Sequence, residues 1–77
     1  MDYKNFDIVL GNELRNLRNK RKLTIRQAGE LLGLDNSTVS KWETGHSSIS
    51  AKELMRYLDL LGVSYSEFIK VVEDACI

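Results

Sequence analysis

Three glycines cut this chain into short segments of helical pattern. Gly33, Gly45 and Gly62 each close a stretch in which apolar residues recur three and four positions apart, and each stretch opens on a capping residue: Thr24, Asp35 and Ser50. Glycine accepts the left-handed backbone at a helix C-terminus without a Cβ clash, so the punctuation predicts helices joined by tight turns. Ahead of them, Leu10, Leu14 and Leu17 form an i, i+4, i+7 stripe over a first helix from Phe6 or Asp7 to Lys22, with Gly11 as its weak point. The second helix follows Thr24 and turns Ile25, Ala28, Gly29 and Leu32 to one side. The third runs from Asn36 to about Glu43, with Val39 and Trp42 inward. Two capping boxes, Ser50-Ala-Lys-Glu53 and Ser64-Tyr-Ser-Glu67, start the fourth and fifth. Their core faces are Leu54, Tyr57, Leu58 and Leu61, then Phe68, Ile69 and Val72. Alternating β-branched runs are absent, which makes the expected fold all-α with five helices.

Size narrows the class further. The chain has 77 residues, no proline and one cysteine, Cys76, so residues 1–77 are expected to form one domain without an internal disulfide or a zinc site. No apolar run approaches the ~18 to 20 residues of a membrane span, and the polar start Met1-Asp-Tyr-Lys-Asn-Phe-Asp is unlike a secretory signal. A cytoplasmic protein, with no membrane role, is expected. A domain this small buries only ~60% of its unfolded surface, which keeps self-association open as a source of stability.

Eleven basic and eleven acidic side chains balance overall, but residues 1–41 hold eight bases against five acids. Between Arg15 and Arg26 lie six bases and no acid, while Glu67, Glu73 and Asp74 sit near the other end. Two readings of the basic run stay open: a face that meets an anion, or a solvated helix end whose Lys20, Arg21 and Lys22 interact with the helix dipole.

The two short helices around Gly33-Leu34-Asp35 have the length and spacing of a helix-turn-helix. Leu23-Thr24, Gly33-Leu34, Ser37-Thr38-Val39-Ser40-Lys41-Trp42-Glu43-Thr44-Gly45 and Leu61-Gly62-Val63-Ser64 together resemble the phage Cro and repressor (XRE-like) helix-turn-helix family. The resemblance spans about residues 10–70. It implies a compact five-helix, lambda-repressor-like DNA-binding domain in which helices 2 and 3 form the helix-turn-helix, with a short N-terminal lead and a C-terminal helix and tail available for dimerisation.

The resemblance places base reading on Asn36, Ser37, Ser40 and Lys41. Their chemistry suits it: asparagine bonds adenine in a bidentate way and lysine donates to guanine O6 and N7. It places the DNA backbone along Thr24, Thr38 and the loop Thr44-Gly45-His46-Ser47-Ser48, where helix N-termini and free loop N–H groups take phosphate, with Arg26 and Lys41 adding charge. His46 also reads as a plain exposed turn residue. Arg18 and Glu43 match a family pair, an arginine of the first helix and a glutamate closing the recognition helix, which implies a structural ion pair.

Three positions depart from the family pattern. Ile25 stands where Gln is frequent, which removes one expected phosphate-positioning contact. Ala28 stands where Leu is common and leaves a hole unless Leu31 or another neighbour fills it. Ile49-Ser50 replaces a frequent proline, with Ser50 able to start the helix instead. The resulting expectation is a sequence-specific double-stranded DNA-binding transcriptional regulator, a repressor acting by operator occupancy as a homodimer on an inverted repeat, with no cofactor and no metal. The competing reading is an antitoxin or regulatory subunit whose main partner is another protein, docked through the C-terminal helix Phe68 to Ile77. That stretch reads equally as core packing plus a frayed tail. An enzyme is not expected, since the chain shows no Cys–His arrangement, no glycine-rich phosphate loop and no paired carboxylates in an evident pocket.

Overall fold

All five helices are present in the computed structural model, which describes residues 3–76. They are α1 (Phe6–Lys20), α2 (Ile25–Leu32), α3 (Asn36–Thr44), α4 (Ala51–Leu61) and α5 (Tyr65–Ala75), with no strand among the described residues. Leu10, Leu14, Ala28, Val39, Leu54, Tyr57, Leu58, Leu61, Phe68 and Val72 close into one core. None of the helices is long and apolar enough to cross a membrane.

α1 stops two residues before the expected Lys22. Arg21 caps it, and Lys22 takes a left-handed φ of 58°, the only such non-glycine among the described residues. The Leu23 N–H then bonds back to Arg18 O at 3.2 Å, which reverses the chain into Thr24. Gly11 is no weak point. α1 crosses α3 so closely there that a Cβ on Gly11 would strike the Trp42 carbonyl oxygen and lie 2.8 Å from the Glu43 backbone. Loss of helix propensity at Gly11 is therefore the condition for that close crossing.

Leu31 does not fill the space beside Ala28. Its side chain is exposed, whereas Ala28 is fully buried under other neighbours. Capping also differs from the expected pattern. Ser50 and Ser64 do accept from the N–H groups of Glu53 and Glu67, at 3.2 and 3.3 Å. The reciprocal half is missing, because the Glu53 carboxylate takes Arg56 Nη1 at 2.8 Å instead and Glu67 makes no return bond. A charged donor is the stronger attraction for a carboxylate than one backbone N–H. The complete box forms at α2, where the Gln27 N–H donates to Thr24 Oγ1 at 3.0 Å and the Thr24 N–H donates to Gln27 Oε1 at 2.9 Å.

Two arginines cap helices far away in sequence. Arg21 Nε donates to Leu61 O at 2.9 Å, and Arg56 Nη2 donates to Leu32 O at 2.6 Å, satisfying C-terminal carbonyls of α4 and α2. At the other end of the chain the tail is not frayed through Cys76, which is buried and donates its N–H to Val72 O at 3.1 Å. Phe68 and Val72 belong to the core while Val71 stays half-exposed. Ile77 lies outside the described residues.

Candidate nucleic-acid interface

The turn between α2 and α3 is built for close approach. Gly33 adopts φ 71° with nothing near the place of a Cβ, so its requirement is purely conformational. The Leu34 N–H bonds to Gly29 O at 2.8 Å, and a Cβ on Gly29 would lie 2.9 Å from Leu34 O. A residue larger than glycine at position 29 pushes the two helices apart. Asp35 Oδ1 then accepts the Ser37 N–H at 3.1 Å and starts α3.

α3 divides cleanly. Val39, Trp42 and Glu43 are buried, and with 100° between successive residues positions 36, 37, 40, 41 and 44 form one outward stripe. Asn36, Ser37 and Lys41 are exposed and Ser40 is half-buried, so all four expected base-reading residues share that stripe. The Asn36 amide and the Lys41 ammonium make no hydrogen bond within the described chain, which leaves their donors for an outside partner.

The expected phosphate contacts fare unevenly. Thr24 is exposed, and because its Oγ1 only accepts from Gln27, its own proton is unused. At the start of α2 the Gln27 N–H is taken by Thr24 Oγ1, and the N–H groups of Ile25 and Arg26 have no intrahelical partner. Arg26 is exposed and pairs loosely with Glu30 at 3.3 Å. Thr38 is half-buried. In the loop, however, the N–H groups are not free: those of Gly45, His46 and Ser47 turn back to Trp42 O at 3.3 Å and to Lys41 O at 2.9 and 3.3 Å. The left-handed Gly45, φ 79°, permits this closure, and its tight packing on Ile8 leaves no room for a Cβ. Ser48 Oγ donates to Asp7 Oδ2 at 2.7 Å, tying the loop to α1. Thr44 Oγ1 donates to Ser40 O at 3.0 Å and stands 2.9 Å from His46 Nδ1.

Beneath the stripe, Arg18 and Glu43 form the expected ion pair as a fork: Nε to Oε2 at 2.8 Å and Nη2 to Oε1 at 2.9 Å, both side chains buried. Arg18 Nη1 also donates to Leu23 O at 2.8 Å. The hydrogen bond to Glu43 holds the Arg18 guanidinium even more firmly protonated than usual. Tyr57, read from sequence as a core residue alone, completes the group by donating to Glu43 Oε2 at 2.6 Å. Burial, then the bond to Glu43, pushes the phenol well above its ordinary range, so it stays neutral. A buried tyrosine must find an acceptor for its O–H, and that rule is the signal by which the sequence could have revealed a polar role for Tyr57.

The basic run is therefore not one face. Arg18 and Arg21 serve the fold, Arg26 pairs with Glu30, and Arg15 approaches Glu43.

A rigidly anchored helix that presents a polar stripe after a glycine turn defines an all-α DNA-binding regulator of helix-turn-helix type. The chain belongs to the helix-turn-helix family, whose profile matches residues 14–68. Crystal structures of the clp gene regulator ClgR from Corynebacterium glutamicum have the same fold, with a TM-score of 0.86 at 22% identity. That match covers 92% of this chain and 76% of the other. A second ClgR structure covers 94% of this chain and 92% of its own, again with a TM-score of 0.86 at 22% identity. No curated protein matches the sequence.

Proposed function

We propose that the chain is a sequence-specific transcriptional repressor, one domain over residues 1–77, that occupies an inverted-repeat operator in cytoplasmic double-stranded DNA as a homodimer. The observation that carries this reading is the outward stripe of α3, with Asn36 and Lys41 donors unused and Val39, Trp42 and Glu43 holding the helix from beneath. Asn36, Ser37, Ser40 and Lys41 read base edges. Thr24, Arg26 and Thr38 take phosphates, with the α2 N-terminus as the main backbone contact. In the loop, the geometry favours side chains over N–H groups: the exposed Ser47 hydroxyl is the available donor and the exposed His46 ring lies beside it, while Thr44, Gly45 and Ser48 shape the loop. Two half-sites about one helical turn, ~34 Å, apart let each α3 enter the major groove. Repression requires only that the bound dimer block access to the promoter.

Selection of bound sequences from a randomised duplex pool tests the proposal. Convergence on an inverted repeat supports it; absence of any enrichment ends it.

One observation favours a protein partner as a second reading. Ile8 and Val71 are about half exposed, 55% and 48%, more than a monomer needs for its core. An antitoxin or regulatory subunit would lose activity with Val71→Asp and keep it with Lys41→Ala; the repressor reading predicts loss with Lys41→Ala.

A further inference from the structure

The four arginines between positions 15 and 26 have unequal work. Arg18 is forked onto Glu43, Arg21 caps α4 at Leu61 O, and Arg26 bonds Glu30. Arg15 makes no hydrogen bond among the described residues. Its Nε stands 3.8 Å from Glu43 Oε1, beyond bonding range, and that oxygen already accepts Arg18 Nη2. The other carboxylate oxygen accepts Arg18 Nε and Tyr57 Oη. One buried carboxylate thus faces two guanidinium groups, and because Tyr57 remains neutral the cluster carries a surplus positive charge.

That surplus charge lies at the end of the recognition helix. The Arg15 side chain is 47% exposed and lines a groove of about 440 Å³ together with Ile8, Val9, Asn12, Thr44 and Ala75. Thr44 is the last residue of the outward stripe of α3. Among the described residues Glu43 is the one carboxylate lining the groove, and it is fully covered, so none of them offers an exposed acid there to compete for the guanidinium. Ile8, Val9 and Ala75 wall the other side with apolar surface, which strengthens the attraction of an exposed cation for an approaching anion.

We propose that Arg15 is a DNA-backbone anchor: its guanidinium takes one phosphate flanking the base pairs read by α3, in the forked geometry that arginine offers to two phosphate oxygens. Glu43 supports this contact without sharing a hydrogen bond, holding α3 in place through Arg18 and Tyr57 while drawing the Arg15 side chain toward the groove. The assignment rests on the DNA-binding reading above.

The test uses the duplex that the wild-type protein selects. Fluorescence anisotropy at several salt concentrations compares wild type, Arg15→Gln, Arg15→Lys and Lys20→Gln, each against duplexes with single neutral methylphosphonate replacements along both strands. Arg15→Gln is expected to weaken binding by about tenfold at low salt without changing base preference, and to flatten the log–log salt dependence by about one unit per protomer. Lys20→Gln stays close to wild type and Arg15→Lys recovers part of the loss. One methylphosphonate position that weakens the wild type leaves Arg15→Gln unaffected, a coupling that a merely destabilised variant does not show. Equal salt slopes for wild type and Arg15→Gln, or equal sensitivity of both to every methylphosphonate, overturns the Arg15 assignment alone. If the wild type selects no duplex at all, the DNA-binding reading fails and the anchor fails with it.

Discussion

Tyr57 Oη donates to Glu43 Oε2 at 2.6 Å, linking α4 to the end of the recognition helix. Together with the Arg18 fork this leaves no buried side-chain nitrogen or oxygen without a partner among the described residues. Removing members of the group should therefore have graded effects. Glu43→Ala strands a buried guanidinium and is expected to cost ~3 to 5 kcal/mol, a large share of the stability of a domain this small. Tyr57→Phe leaves the ion pair intact and loses one bond to a charged acceptor, about 1.5 to 3 kcal/mol. Urea unfolding of both variants checks the order; equal midpoints for Glu43→Ala and wild type would remove the network from the account of stability.

The same phenol makes the fold sensitive to alkali. Its folded pKa lies above the ordinary value of about 10, so the folded state binds this proton more tightly than the unfolded chain. The associated stability is complete below about pH 10 and declines as pH rises from there toward the higher folded value, by up to ~1.4 kcal/mol per pH unit. Urea titrations at pH 9, 10 and 11 should show a steeper fall for wild type than for Tyr57→Phe. Parallel curves would mean that the phenol proton is not linked to folding.

Two glycine substitutions separate packing from conformation. Gly11→Ala places a methyl group against the Trp42 carbonyl and the Glu43 backbone, which cannot step aside as a flexible side chain does, so the crossing of α1 and α3 must widen, at a cost of about 3 kcal/mol or more. Any gain in helix propensity, ~1 kcal/mol, is outweighed. Gly33→Ala meets no atom and bears only the left-handed backbone penalty, ~1 to 2 kcal/mol. Thermal melts should place Gly11→Ala below Gly33→Ala, and Gly11→Ala should also weaken DNA binding because it displaces α3.

At the start of α2, Thr24 and Gln27 satisfy one another's backbone N–H groups. Thr24→Ala is expected to cost about 1 kcal/mol, and Gln27→Ala in the Thr24→Ala background less than Gln27→Ala alone. Additive losses in a double-mutant cycle would show that the two bonds act independently. Of the pair, Thr24→Ala should also weaken DNA binding to all sequences alike.

Base reading makes a different demand. Asn36→Ala and Lys41→Ala should leave the melting temperature nearly unchanged, since neither side chain makes a hydrogen bond among the described residues. Each should lose ~1 to 3 kcal/mol of discrimination at its own base pair. A uniform loss across all sequences would move the residue from base to phosphate.

Much of this was legible along the chain. Thr24, Asp35, Ser50 and Ser64 cap the helices they precede, and Gly33, Gly45 and Gly62 end them with φ between 71° and 79°. Capping and C-terminal turns are local chemistry within four or five residues, so sequence spacing reads them directly. The outward face of α3 follows for the same reason, from the periodicity of Val39 and Trp42. The choice of Glu53 for Arg56 over the Ser50 N–H, and the closure of the Gly45–Ser47 N–H groups onto α3, were not readable. Each is a competition between nearby partners, and side-chain and loop geometry decides it.

The amino-acid sequence by itself determined five helices, the caps that start four of them, the glycine turn and the residues on the outward face of α3. Only the tertiary structure decided that Gly11 is a crossing point, that Tyr57 joins a carboxylate 14 residues back, that Arg21 caps a helix 40 residues on, and that Arg15 makes no hydrogen bond among the described residues at the end of α3. Helical periodicity states which way a side chain points from its own axis. Which of several arginines meets a carboxylate, a carbonyl or open solvent depends on how the axes cross, and that is set by packing the whole core.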